Sequence, residues 1–126
     1  MKITTFNPLI VSAEAEAAIK LFEELGFEKS HVKESEVNGT DFANVVMKDA
    51  NGFHVDIANV PVPRDMTVIR MNVDDIDEAK AILEKHGFVN ANSGQRRESE
   101  TFYSEFMASP SGFTINLVKH IKKEDK

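Results

Sequence analysis

LFEELGF (residues 21–27) returns in altered spelling as ILEKHGF (82–88). Each copy is the end of an amphipathic helix followed by Gly and Phe, and Gly26 and Gly87 stand 61 positions apart. A second pair of landmarks keeps nearly the same offset. DANGFHVDI (49–57) answers SPSGFTINL (109–117), with Gly52 and Gly112 60 apart. A third pair precedes the helices: LIVSAE (9–14) against MNVDDI (71–76), with Val11 and Val73 62 apart. Three landmarks in one order, with offsets within two residues, mark two copies of one unit of about 60 residues.

The residues between the landmarks read the same way. ITTFNPLIV (3–11) is β-branched and apolar and predicts a strand, with Pro8 pointing to an edge or a bulge. Ser12 is the expected helix N-cap, and Ala15, Ala18, Ile19, Phe22 and Leu25 form one apolar helical stripe. Strands follow over 27–36, 41–48 and 53–60, with a hairpin signal at Asn38-Gly39. The second copy predicts a strand over 66–73, then a helix opened by a capping box at Asp75 and Glu78, with a stripe of Ile76, Ala79, Ile82, Leu83 and His86. Residues 88–99 carry a turn signal at Ser93-Gly94 and an exposed segment at Arg96-Arg97, and strands follow over 101–108 and 113–120. VPVPRD (60–65) links the copies, its prolines unsuited to a sheet interior. The expectation is a single domain of 126 residues, with modules at about 1–60 and 66–120 and a linker at 61–65.

Composition narrows the function. The chain has 41% hydrophobic and 29% charged residues, as ordinary globular proteins do. It has no cysteine, so thiolate metal sites, disulfides and a Cys nucleophile are excluded. A net charge of −6 without a basic stripe argues against nucleic acid. No apolar run approaches a membrane span and no signal-peptide pattern opens the chain, so a cytoplasmic location is expected, with no membrane partner.

The βαβββ unit given twice, with Gly-Phe after each helix and a Gly-Phe turn before each last strand, resembles the vicinal oxygen chelate superfamily. That group contains glyoxalase I, extradiol dioxygenases and bleomycin-resistance proteins. The resemblance implies an α+β fold: two tandem βαβββ modules curling a cup-like sheet, with the helices outside. It also implies a homodimer and, in the enzymes, a divalent metal held by His, Glu or Gln from the first and last strand of each module. Carried onto this chain, the four ligand positions fall on Phe6, Asp56, Val68 and Asn116. Two are hydrocarbon and one is a neutral amide, so neither metal nor other cofactor is expected. His31, His86 and His120 lie in a polar strand, near a helix end and in the tail, and are read as surface residues.

Strand alternation then selects the residues facing the cup: Phe6, Ile10, His54, Asp56, Val68, Arg70, Asn72, Asn116 and Val118. The ligand-binding candidates among them are Phe6, His54, Asp56, Val68, Arg70, Asn72 and Asn116. Arg70 needs a carboxylate or an anionic ligand if buried, and Asp56 is a candidate partner. Tyr103, Glu105 and Met107 share a face that alternation alone does not identify. The expected function is metal-free binding or sequestration of a small molecule, with no catalytic residue assigned. Two alternatives stand beside it. One is a divergent glyoxalase-like lyase or dioxygenase, or a metal-independent acid–base catalyst, using Asp56 and His54. The other is a non-catalytic regulatory or interaction module.

Overall fold

The computed structural model describes residues 1–37, 40–92 and 94–121, with side chains outside 31–37 and 40–43. It forms two compact units: Asn7–Val68, and Met1–Phe6 together with the chain from Ile69 onward. The fold is α+β, and each unit follows the βαβββ plan.

In the unit Asn7–Val68, strand β1 (Ile3–Ser12) leads to helix α1 (Ala15–Glu24), then β2 (Glu28–Val37), β3 (Thr40–Lys48) and β4 (His54–Asn59). The strands lie in the order β2-β3-β4-β1. β1 runs parallel to β4, with Leu9 opposite Asp56 and Ile10 opposite Ile57. Pro8 stands one residue before that ladder begins, so its missing N–H is not needed there. Ser12 does not cap α1 as expected. Glu14 occupies the N-cap without a side-chain bond, and the Ser12 hydroxyl accepts from the Glu14 N–H at 2.8 Å, bracing the turn before the helix. Ala15 and Ile19 of α1 pack on Val45, Met47, Val55 and Ile57, with Ile10, Phe22 and Phe27 against them. The Asn38-Gly39 turn expected between β2 and β3 lies outside the described residues, as does Ser93.

The second unit repeats the plan with β5 (Met66–Val73), α2 (Ile76–Lys85), two short strands β6 (Val89–Asn90) and β7 (Arg97–Glu98), then β8 (Phe102–Ala108) and β9 (Thr114–His120). Its order is β5-β9-β8-β6, with β7 also paired to β8. The Asp75 carboxylate caps α2 by accepting from the Glu78 N–H at 3.0 Å. The Glu78 side chain turns to the Met1 ammonium at 3.0 Å. Val73, Ile76, Ala79, Phe88, Met107 and Leu117 form the core under α2. Gly87 ends the helix with φ +87°, and an added Cβ there would meet Pro110 Cγ at 2.8 Å. Both the left-handed backbone and the close Pro110 contact therefore require glycine.

Candidate functional site

The side of the second unit's sheet turned away from α2 carries a row of polar side chains. The row follows from register. β5 is parallel to β9 with Arg70 opposite Asn116 and Asn72 opposite Val118. β8 is antiparallel to β9 with Phe106 opposite Asn116 and Ser104 opposite Val118. β7 is antiparallel to β8 with Arg97 opposite Ser104. Met71, Ile115, Leu117, Tyr103 and Met107 alternate with these residues and pack in the α2 cluster. The row therefore occupies the other face.

Asn116 is at the centre and 0% exposed. Its Oδ1 accepts from Arg70 Nε at 3.0 Å, and its Nδ2 donates to Ser104 Oγ at 2.8 Å and to the Glu105 carbonyl at 3.3 Å. A buried amide with both ends engaged fixes the Arg70 guanidinium by one edge. Arg97 reaches the same face, its guanidinium 5.6 Å from the centre of the Phe106 ring. Burial first, and then the charge of Arg70, push the Arg97 guanidinium below its ordinary range. Two cations therefore share one face of the sheet. Asn72 adds a buried Oδ1 that finds no hydrogen-bond donor among the described residues.

The helix side of the same strands holds a separate polar cluster. The Glu105 side chain is 0% exposed. It accepts from Arg96 Nε at 2.7 Å and Asn90 Nδ2 at 2.8 Å, and Lys80 Nζ of α2 stands 3.1 Å away. Burial, the largest single influence, pushes its pKa up. The hydrogen bonds from Arg96, Asn90 and Lys80 together outweigh it, and the carboxyl is held below its ordinary value. Arg96 also holds Asp77 at 2.7 Å. This cluster joins α2 to the sheet.

The candidates read from the sequence divide accordingly. Arg70, Asn72 and Asn116 share the row, and Val118 lies beside them. In the other unit Asp56 is buried on β4, opposite Leu9 and Val46, while His54 is half-buried opposite Lys48. Val68 is buried. Phe6 is 63% exposed. Ile10 corrects the expectation that it faces the cup. It sits opposite Ile57 and packs into the α1 cluster, because the register places Leu9, not Ile10, beside Asp56. Arg96-Arg97 is not an exposed segment either. Both side chains are partly buried, and as consecutive residues leading into β7 they go to opposite faces, Arg96 to Tyr103 and Arg97 to Phe106. Arg97 was missed as a site residue. Its only signal in the sequence is its place beside Arg96, ahead of a strand.

A divalent cation does not fit the positions carried over from the metal enzymes. Phe6 and Val68 offer hydrocarbon. The Asn116 oxygen is engaged by Arg70, whose positive charge opposes a second cation. Among the described residues, no three His, Asp or Glu side chains converge in a way that would hold a metal. No helix of the described residues is long and apolar enough to cross a membrane.

No family model matches the sequence, and no curated protein matches it. Solved structures do match the fold. A glyoxalase I variant from Zea mays superimposes with a TM-score of 0.66 at 13% identity, over 94% of this chain and 43% of its own. The chain thus spans less than half the length of that maize enzyme. Methylmalonyl-CoA epimerase from Streptomyces coelicolor gives 0.63 at 15% identity, over 99% of this chain and all of its own. A glyoxalase/bleomycin resistance protein/dioxygenase superfamily member from Vibrio splendidus gives 0.56 at 13% identity, over 95% and 100%. With its repeated βαβββ plan, and with Asp56 as the one carboxylate among the four carried-over positions beside Phe6, Val68 and Asn116, the chain has the vicinal oxygen chelate fold without, among the described residues, that fold's usual ligand set.

Proposed function

We propose that the chain binds a small organic molecule, without a metal, on the sheet face that carries Arg70, Asn72 and Asn116. One observation carries this reading: the buried Asn116 amide, at one of the positions carried over from the metal enzymes, is committed to Arg70 and Ser104, so its oxygen is already taken by a guanidinium N–H. Hydrogen-bond donors set among apolar residues are the usual make-up of a small-molecule site. A solved structure of the same fold, the Streptomyces coelicolor epimerase, is a complex with 2-nitronate-propionyl-CoA. The homodimer and the cytoplasmic location expected from the resemblance and the composition belong to the same proposal.

The test is a thermal-shift screen of small organic acids, alcohols and amides, run with and without EDTA. Stabilisation by one or more compounds, unchanged by the chelator, supports the reading. Loss of that stabilisation on chelation, a divalent ion bound one per chain in purified protein, or no stabilising compound at all would sink it. Solution mass checks the dimer.

A further inference from the structure

We infer that Asn51 is a site of spontaneous covalent modification, confined to the first copy of the repeat. Its side-chain amide closes on the Gly52 backbone nitrogen, loses ammonia and reopens with water as aspartate or isoaspartate, at a pace that Asp49 sets. The inference is independent of small-molecule binding in the second unit.

Asn51 and Gly52 lie in the turn that joins β3 to β4, just past the pair Lys48 and His54. Both are exposed. Gly52 has φ +88°, and the space where a Cβ would stand is open for 4 Å, so nothing beside Gly52 obstructs a ring. In the reaction the Gly52 nitrogen gives its proton to solvent and bonds to Asn51 Cγ. The Cγ–Nδ2 bond breaks, and Nδ2 leaves as ammonia with a proton from solvent. Water then splits the cyclic imide. Opening at Cγ leaves aspartate; opening at the Asn51 main-chain carbonyl leaves isoaspartate. Asp49 opposes the first step. Its Oδ1 accepts from the N–H of Asn51 at 2.9 Å and of Phe53 at 3.0 Å, and its carbonyl accepts from the Gly52 N–H at 3.2 Å. Ring closure needs that last bond broken and the Asn51 backbone turned. The second copy has the same turn without the chemistry. Ser109 Oγ accepts from the N–H of Gly112 at 2.9 Å and of Phe113 at 3.0 Å, and Ser111 stands where Asn51 does. A serine has no amide to lose. Modification places a second carboxylate beside Asp49 and, as isoaspartate, lengthens the main chain of the turn by one methylene. Like charges oppose each other, and a lengthened turn no longer fits the register at its mouth.

The experiment holds the folded full chain at mildly alkaline pH for weeks and follows residue 51 by tryptic peptide mass spectrometry. Cleavage after Lys48 and Arg64 separates Asn51 from Asn38, which opens the other Asn-Gly pair and lies outside the described residues. Fragmentation by electron transfer distinguishes aspartate from isoaspartate. The wild type is expected to gain the mass of an amide-to-acid change at Asn51, with both products present. Asp49→Ala is expected to gain it about fivefold faster, as loss of the hydrogen bonds to the Asp49 carboxylate loosens the turn. Asn51→Ser, which borrows the residue of the second copy, is expected to show no change in that peptide. The aged wild type should unfold at lower urea than the fresh protein, and aged Asn51→Ser should not. An unchanged amide at Asn51 after the same time in which Asn38 is converted overturns the inference, and so does an unchanged amide at both. An equal rate in Asp49→Ala overturns the role of Asp49, and equal urea midpoints before and after ageing overturn the effect on the turn. None of these outcomes touches the small-molecule reading, which the thermal-shift screen judges.

Discussion

Arg96 Nε lies 2.7 Å from Glu105 Oε2 on the helix side of the second unit, and Asn90 and Lys80 complete the carboxylate's shell. A fully buried carboxylate survives there because three donors replace the water it has lost.

Glu105→Ala is expected to destabilise the chain by roughly 3 kcal/mol, the lower end for breaking a buried pair. The lower end applies because Arg96 keeps Asp77 and both cations still reach water. Urea denaturation measures it; a loss within error of zero would remove the cluster's structural role.

The same carboxylate sets part of the acid response. Its value in the folded chain lies below the ordinary 4.5. Between the two values the unfolded chain binds more protons, so stability rises with pH there. The contribution is complete above about 4.5 and is lost as pH falls through the folded value. Glu105→Gln should therefore be less stable than wild type at pH 7, with the gap narrowing below pH ~4.5. Urea midpoints of both proteins at the two pH values decide it.

Gly87→Ala meets both a left-handed backbone and Pro110 Cγ at 2.8 Å, whereas Gly26→Ala, at φ +105°, meets nothing within 4 Å. Both substitutions should cost about 1–2 kcal/mol for conformation, and Gly87→Ala should cost more. Adding Pro110→Ala to Gly87→Ala should recover the excess, read as a favourable coupling in a double-mutant cycle. An additive pair would mean the Pro110 contact carries no strain.

Asp75→Ala is expected to cost about 1 kcal/mol by removing the α2 cap. Glu14→Ala should cost far less, since Glu14 makes no capping bond. Equal losses would contradict the assigned caps.

Asn116→Ala removes the acceptor of Arg70 Nε and the donor to Ser104 Oγ. A loss of about 1–3 kcal/mol is expected, with weaker binding of any ligand that stabilises the wild type. Thermal shift with and without that ligand separates the two effects.

Most of the architecture was legible because it rests on local signals. β3, β4, β5, β8 and β9 fall within about one residue of the stretches that alternation marks. Glycines with positive φ stand at Gly26, Gly52, Gly87 and Gly112, the turns the repeat identified. The site was legible only in part. Alternation grouped Tyr103, Glu105 and Met107, and separated Arg70 from Met71, but it cannot say which group lies under a helix. That choice depends on α2 settling over Met107 and Leu117.

From the order of residues alone came the duplication, the βαβββ plan and the poverty of metal donors, since turn chemistry, period and side-chain type are written along the chain. Only the folded structure decided that Ile10 goes to α1, that Arg96 and Arg97 part to opposite faces, and that Glu105 is buried among cations. Each of those depends on pairing between strands distant in sequence. A shift of one residue in such pairing turns every side chain over, and no local pattern records it.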